Sequence, residues 1–372
     1  MIREEEIISK KIADRCCRRG ILQSDNIEEI VAECSIDLGM AIPRVIYCET
    51  LTRSLSAFYF RKIPYMIYDS CLLEALYIYD GISLSGNNEL ELYKLVYKLI
   101  GEELIRNNQL ERCLYFSKKY QSIKYLFDKE ENNDRITELI SLQSYFLIGH
   151  ELGHLQVRKQ NVYAADLPGD YRKFIKVCIK ILTQSVVEED RVMEFLEKHF
   201  RYFMQDCPRT MEQYFEELMQ SKQYENFVEE CYCDWNGVKL LLEHYGNPKE
   251  SLRAISLVFK YLIIQEAIRS DIEGGKLFFD DPDHEVSRAA YFSVLRLEIV
   301  LLEIRFNNLG DIEEAFFEEQ EQHLLTDTWM KILKKIPNDK AFKTVPKDIL
   351  SGVGRKELAN VLINTFYYMH VQ

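Results

Sequence analysis

The stretch of sequence that decides the fold reads SYFLIGHELGHLQ and covers residues 144–156. Its apolar residues recur at helical spacing, and the pattern extends back to about Thr137, so we predict one helix over 137–156. His150 and His154 are just over one helical turn apart, which places both imidazoles on the same face. Two nitrogen donors at this spacing are the pair that one tetrahedral zinc ion needs.

The residue after the first histidine, Glu151, is rotated from it by about 100° around the helix. Its carboxylate can approach a metal-bound water without coordinating the metal, so we predict that Glu151 is a general base. Gly149 and Gly153 weaken a helix unless another element packs closely against them, and a second metal-binding helix would be such an element. The alternative is a polar helix face that carries two histidines by coincidence.

A third ligand has to come from another part of the chain, and Glu230 is the best candidate. It lies in the segment EECYCDW, residues 229–235, on a predicted helix from about Tyr224 to His244. Glu230 and Asp234 are four residues apart and share a face. We expect Glu230 to ligate zinc and Asp234 to hydrogen-bond the outer nitrogen of a ligating histidine. An ordinary solvated acidic face is the alternative for this segment on its own.

The fold class follows from the remaining patterns. Most apolar residues have helical spacing, and only 15 glycines and 8 prolines interrupt the chain. Segments 54–60 and 64–68 are short, aromatic-rich and bounded by turn or charged residues, which is typical of strands. A helix is predicted to begin near Ser70. We therefore predict an α+β fold, predominantly α-helical, with a small antiparallel sheet; aromatic helix segments are the alternative for the two strands.

Composition limits the partners and the location. The net charge of −13 over 372 residues is repelled by phosphates and anionic lipids, so we expect neither nucleic acid nor a membrane as partner. The N-terminus lacks the basic-then-apolar order of a secretory signal. The ten cysteines show no paired spacing, which favours free thiols and a cytoplasmic location. Cys231 and Cys233 diverge on a helix and cannot chelate one metal together, so we predict buried thiols.

The two motif-bearing helices together resemble those of the gluzincin metallopeptidases. The 76 residues from His154 to Glu230 are similar to the separation in the family of HtpX and the CAAX prenyl proteases. Segments 54–58, 64–68 and 71–74 look like the edge strand, second strand and short helix that precede the metal helix in that family. The resemblance implies a zincin-like core with a metal-binding helix pair, in a soluble relative that lacks the membrane helices of those proteases.

Family members also carry a histidine-proline motif, followed by an arginine, downstream of the third ligand. His284 and Arg288 in the segment DHEVSR, residues 283–288, are similar, although no proline follows the histidine. The resemblance implies that one of these two residues stabilises the oxyanion of the transition state.

The resemblance also implies a division of the chain. We predict an N-terminal helical segment over 1–45, a metallopeptidase domain over 46–300 with an insertion at 80–135, and a C-terminal helical segment over 301–372.

The expected function is that of a zinc-dependent endopeptidase acting on a cytosolic protein or peptide. His150, His154 and Glu230 would hold Zn²⁺, Glu151 would act as general base, and an edge strand near residues 55–59 would bind an extended peptide. A regulated or defence-related role is implied by analogy only. The competing interpretation is a non-catalytic interaction or regulatory protein with a structural zinc site, which a fourth protein ligand would favour.

Overall fold

The computed structural model places ten main helices and three strands in the residues it describes. These residues are 25–85, 89–124, 133–158, 166–183, 215–246, 248–273, 286–307 and 354–366. The elements are α1 (Asp25–Asp37), β1 (Arg44–Cys48), β2 (Ser56–Phe60), β3 (Ile63–Asp69), α2 (Ser70–Leu84), α3 (Glu89–Arg106), α4 (Leu110–Gln121), α5 (Asn133–Val157), α6 (Gly169–Thr183), α7 (Gln223–Tyr245), α8 (Pro248–Glu273), α9 (Val286–Phe306) and α10 (Arg355–Phe366). A further short helical segment covers 215–220. The fold is therefore predominantly helical, as the sequence predicts.

The two helices that carry the motifs form where the apolar spacing predicts them. Helix α5 begins at Asn133, four residues before the predicted start, and ends at Val157. Helix α7 ends at Tyr245 and is followed by Gly246, whose φ of 54° is left-handed. A glycine in this conformation is the usual C-terminal stop of a helix, because it carries no Cβ to clash.

The sheet has three strands in the order β1-β3-β2 and is mixed rather than antiparallel. Strands β2 and β3 form the antiparallel pair that the aromatic segments predict, with Ala57 opposite Met66. Strand β1 was not predicted, and it lies parallel to β3 with Val45 opposite Met66. The prediction of an antiparallel sheet is therefore wrong for β1, because the direction of pairing depends on a long-range contact that the strand pattern does not encode.

One aspartate ties the segment before β2 to the start of α2. Asp69 is fully buried and caps α2, where its carboxylate accepts a hydrogen bond from the backbone N–H of Cys71 at 3.1 Å. The same carboxylate accepts the backbone N–H of Thr50 at 3.0 Å. These hydrogen bonds fix the beginning of the loop that leads into β2 and so help to position that strand.

Buried ion pairs hold the other end of this loop and the C-terminal helix against α3. Lys98 has no exposed side-chain surface and lies 3.0 Å from Glu74 and 2.8 Å from Glu102. It also donates to the carbonyl of Phe366, the last residue of α10, at 2.6 Å. Glu102 additionally pairs with Arg53 of the loop before β2, so α3 joins both segments. Charges this deeply buried persist only when they are paired.

Helix α5 runs through the middle of the main hydrophobic core. It packs most extensively against α7 and also contacts α1, α2, α8 and β2. Helices α3 and α4, which lie in the predicted insertion 80–135, contribute buried side chains to the same core, as does α10. Whether 80–135 is an insertion stays a prediction. Within the described ranges, no helix combines the length and apolar character that a bilayer crossing requires.

Candidate metal centre

Helices α5 and α7 approach each other closely because glycines stand where they cross. A Cβ on Gly149 would lie 2.9 Å from the Cα of Gly237, and one on Gly153 would lie 3.1 Å from the Cα of Cys233. Ordinary contact begins at 3.4 Å, so a larger side chain would push the helices apart. The close packing of a second helix, which the two glycines of the motif suggested, is present.

Three donor atoms from these helices converge on one point. His150 and His154 of α5 and Glu230 of α7 each offer one ligand atom, and these atoms lie within 4.8 Å of one another. The Nε2 atoms of the histidines are 3.2 Å apart. Glu230 Oε2 lies 3.4 Å from Nε2 of His150, and Glu230 Oε1 lies 3.5 Å from Nε2 of His154. The structure thus brings together the three residues that the sequence predicts as ligands.

Carboxylates face the outer nitrogens of both histidines. Glu229 Oε1 lies 2.7 Å from Nδ1 of His154 in an aligned hydrogen bond. Asp234 Oδ1 lies 2.8 Å from Nδ1 of His150, although the N–H direction is not aligned with it. A neutral imidazole carries one N–H, so a proton held on Nδ1 leaves the Nε2 lone pair directed at the convergence point.

The spacing of the donors tests whether a metal ion would fit. Metal–ligand bonds of about 2.0–2.1 Å place the corners of a tetrahedron about 3.3–3.4 Å apart. The 3.2 Å between the two Nε2 atoms is close to this edge, and each histidine has one oxygen of Glu230 at a similar distance, Oε2 at 3.4 Å from His150 and Oε1 at 3.5 Å from His154. When both histidines are neutral and hold their protons on the outer nitrogens, a metal ion would accept both Nε2 lone pairs and one from Glu230. The residues therefore fit a metal ion.

Arg296 of α9 holds the carboxylates of α7 in place. Its Nε and Nη2 atoms donate to the two oxygens of Asp234 at 2.8 and 2.7 Å. Its Nη1 atom lies 3.2 Å from Oε2 of Glu230. A guanidinium fork engaging a carboxylate through two parallel bonds fixes direction as well as charge. Arg296 thereby orients both the predicted ligand Glu230 and the partner of His150.

The electrostatics of the centre favour anionic carboxylates. Burial alone would raise the pKa of Glu230, but Arg296 and the two histidines hold it well below its usual range. Burial is likewise outweighed at Asp234, where Arg296 and His150 lower the pKa. Burial alone would lower the pKa of His150, but Asp234 and Glu230 raise it to about 10. These carboxylates attract a positive charge to the centre, and a bound metal ion would replace the proton on His150.

Glu151 points from α5 towards the sheet. Its Oε2 atom accepts a hydrogen bond from the backbone N–H of Ala57, in β2, at 2.9 Å. Strand β2 is at the edge of the sheet, so this N–H faces away from β3. The same alternation turns the backbone groups of Tyr59 outward, and its partner Pro64 has no N–H to offer. The outer edge of β2 therefore runs from the carboxylate of Glu151 towards the β2–β3 turn.

The predicted oxyanion residues and the predicted buried thiols have different outcomes. His284 lies outside the described residues. Arg288 falls on helix α9, but its side chain lies outside the described part of the structure. The roles assigned to both stay predictions. Cys231 and Cys233 are buried free thiols, as predicted, and do not belong to the donor group.

Sequence reasoning missed three residues around the centre: Glu229, Arg296, and Arg158, whose Nε atom lies 2.6 Å from Oε1 of Glu229. Glu229 was passed over because the neighbouring Glu230 had the four-residue spacing to Asp234, and adjacent residues on a helix point about 100° apart. Arg296 lies 62 residues from Asp234 in the chain, and no local pattern marks it. Two buried carboxylates on α7 would have indicated that a cationic side chain lies nearby, but not which residue supplies it.

Comparison of the chain with protein-family models, with curated proteins and with solved structures gave no match. The resemblance to the gluzincin metallopeptidases therefore rests on the motif residues and their spacing.

Proposed function

We propose that this protein is a zinc-dependent endopeptidase with a zincin-like core. The observation that carries the proposal is the convergence of His150, His154 and Glu230, with Glu151 next to the first ligand on the same helix. Two imidazoles and one carboxylate suit zinc among the common divalent metals. Catalytic zinc sites are typically built from three protein ligands, and the donor group within the described residues has three members.

Each residue then has a defined task. Bound at this centre, zinc would supply a Lewis acid and a water of lowered pKa. Glu151 accepts a proton from the attacking water and delivers it to the departing amine. Asp234 and Arg296 keep His150 and Glu230 in position through the contacts described above. A fixed geometry of this kind contributes by holding the reacting groups before the reaction begins.

The edge of β2 supplies a place for the substrate. The outward-facing carbonyl of Ala57 and the backbone groups of Tyr59 can pair with an extended peptide, which would add a strand to the sheet. Because the N–H of Ala57 contacts Glu151 directly, a peptide on this edge passes the catalytic carboxylate. The substrate is accordingly an unfolded or extended segment of a protein. The seven free, buried cysteines among the described residues support a reducing compartment such as the cytoplasm.

The test measures metal and activity together. Wild type and the variants His150→Ala, Glu151→Gln and His244→Ala are purified and dialysed against a weak chelator, and zinc is quantified by atomic emission. His244 pairs with Asp37 at 2.7 Å and is not in the donor group, so its variant controls for loss of a histidine. We expect about one zinc per chain in wild type, Glu151→Gln and His244→Ala, and loss in His150→Ala.

Cleavage is then followed by mass spectrometry on a mixture of unstructured peptides. Glu151→Gln should retain zinc but lose roughly 10²- to 10⁴-fold in turnover, because the proton acceptor is gone. Wild type without zinc would reject the metal centre. Zinc bound without cleavage of any peptide would favour the non-catalytic alternative.

A further inference from the structure

Helix α7 presents a second acidic residue to the metal centre, immediately before the predicted ligand. Glu229 is buried, with 6% of its surface exposed, and its Oε1 atom lies 2.7 Å from Nδ1 of His154. Of the two contacts between a carboxylate and an outer histidine nitrogen, this is the one with an aligned hydrogen bond; the contact of Asp234 with His150 is bent. Glu229 also does not belong to the donor group.

The residue that follows the end of α5 holds Glu229 in turn. Arg158, one helical turn after His154, places its Nε atom 2.6 Å from the same Oε1 atom. A carboxylate oxygen 2.7 Å from Nδ1 favours a proton on that nitrogen and leaves the Nε2 lone pair free on the side of Glu230.

We propose that Glu229 is a positioning residue that fixes the tautomer and ring direction of His154 for metal binding, with Arg158 as its support. The proposal rests on the proposed metal centre and adds a part to it. Two carboxylates and two arginines then orient the two ligating histidines. Asp234 and Arg296, which are both buried, orient His150. Glu229 and Arg158 orient His154, and the side chain of Arg158 is 34% exposed.

A simple salt bridge between α7 and the residue that follows α5 is the competing explanation of the Glu229–Arg158 contact. It predicts that removing Glu229 lowers stability and leaves the histidine unchanged. The positioning role predicts an effect on the state of the imidazole itself, even in the metal-free protein. Outer hydrogen-bond partners of metal-binding histidines typically contribute 10- to 100-fold to metal affinity.

The experiment compares Glu229→Gln, Glu229→Ala and Arg158→Gln with wild type. Zinc dissociation constants come from competition with a chromophoric chelator. The glutamine keeps the shape and an acceptor oxygen but no charge, so we expect zinc binding about 10-fold weaker, and about 100-fold weaker for the alanine. Arg158→Gln removes only a partly exposed support and should cost about two- to fivefold.

Glu225→Gln is the matched control. Glu225 is exposed one turn earlier on the same helix and also pairs with an arginine, since its Oε2 atom lies 3.2 Å from Nη2 of Arg172. Its variant therefore makes the same chemical change in a salt bridge away from the centre, and zinc affinity should not change.

A second readout is the ¹⁵N spectrum of His154 in the metal-free protein. Wild type and Glu225→Gln should show the proton on Nδ1, whereas Glu229→Ala should shift it towards a mixture of tautomers.

The outcomes separate this proposal from the function. If wild type binds zinc and Glu229→Ala binds it within twofold of wild type, Glu229 is not a positioning residue. An affinity loss in Glu229→Ala with an unchanged tautomer would also reject the role and favour the salt bridge. If wild type binds no zinc, the metal centre itself falls, and this proposal falls with it.

Discussion

The closest helix contact in the centre offers a direct test of how it is assembled. Gly237 of α7 faces the backbone of α5, and a Cβ at this position would lie 2.5 Å from the carbonyl oxygen of Phe146. Ordinary contact begins at 3.4 Å. The variant Gly237→Ala therefore requires the two backbones to separate by about 0.9 Å at the crossing, because neither atom belongs to a flexible side chain.

The expected cost follows from two opposing effects. Overpacking of a well-packed core typically costs about 1–3 kcal/mol, while replacing a helical glycine by alanine contributes about 1 kcal/mol of helix propensity. The net loss of stability should be about 0–2 kcal/mol, so the protein still folds. The metal centre is more sensitive. A displacement of nearly 1 Å between α5 and α7 separates Glu230 from the histidines, and zinc affinity should fall at least about 10-fold.

The measurement pairs thermal unfolding of the metal-free protein with zinc affinity by chelator competition. Gly169→Ala is the matched control, because a Cβ at that helical glycine meets no atom within 4 Å. The control should be neutral or slightly stabilising and should bind zinc like wild type. Zinc affinity in Gly237→Ala within twofold of wild type would refute the argument that the glycine crossing sets the distance between the ligands.

Three further predictions test other parts of the structure. Burial raises the pKa of Asp80 to about 8, whereas the unfolded chain releases the same proton near pH 4. The stability that this proton gives the folded protein is therefore lost as the pH rises from about 4 to about 8. Asp80→Asn should therefore match wild type near pH 4 in urea denaturation and be more stable at pH 8; a constant difference across that range would contradict the assignment. The two-residue turn between β2 and β3 places Arg61 and Lys62 at φ values of 49° and 69°, which costs roughly 1–2 kcal/mol for each residue with a Cβ. Replacing the pair by Asn-Gly should raise the melting temperature, and an unchanged or lower value would reject the strain argument. Arg296→Lys keeps the charge but loses the fork on Asp234, so zinc affinity should fall about 10-fold, and an affinity equal to wild type in the same chelator assay would show that charge alone is sufficient.

The candidate centre shows which contacts can be predicted from local sequence patterns. The four-residue spacings of His150 with His154 and of Glu230 with Asp234 each predicted a shared helix face, and the structure joins these faces. Such spacings are reliable because helix geometry fixes them within one or two turns. The pairing of β1 with β3 was not predictable in the same way, since a short strand pattern specifies extended backbone but neither partner nor direction.

The sequence by itself determined which candidate ligands share a helix face and what their local geometry is. It specified which helix carries two imidazoles on one face and that Glu151 lies next to the first of them. It also indicated that another element packs closely against the glycines at 149 and 153. Only the tertiary structure decided which distant groups complete the centre. Arg296 reaches Asp234 across 62 residues of chain, and Ala57 reaches Glu151 across 94. Such contacts depend on how whole elements pack against one another, whereas a helical repeat relates only residues a few positions apart.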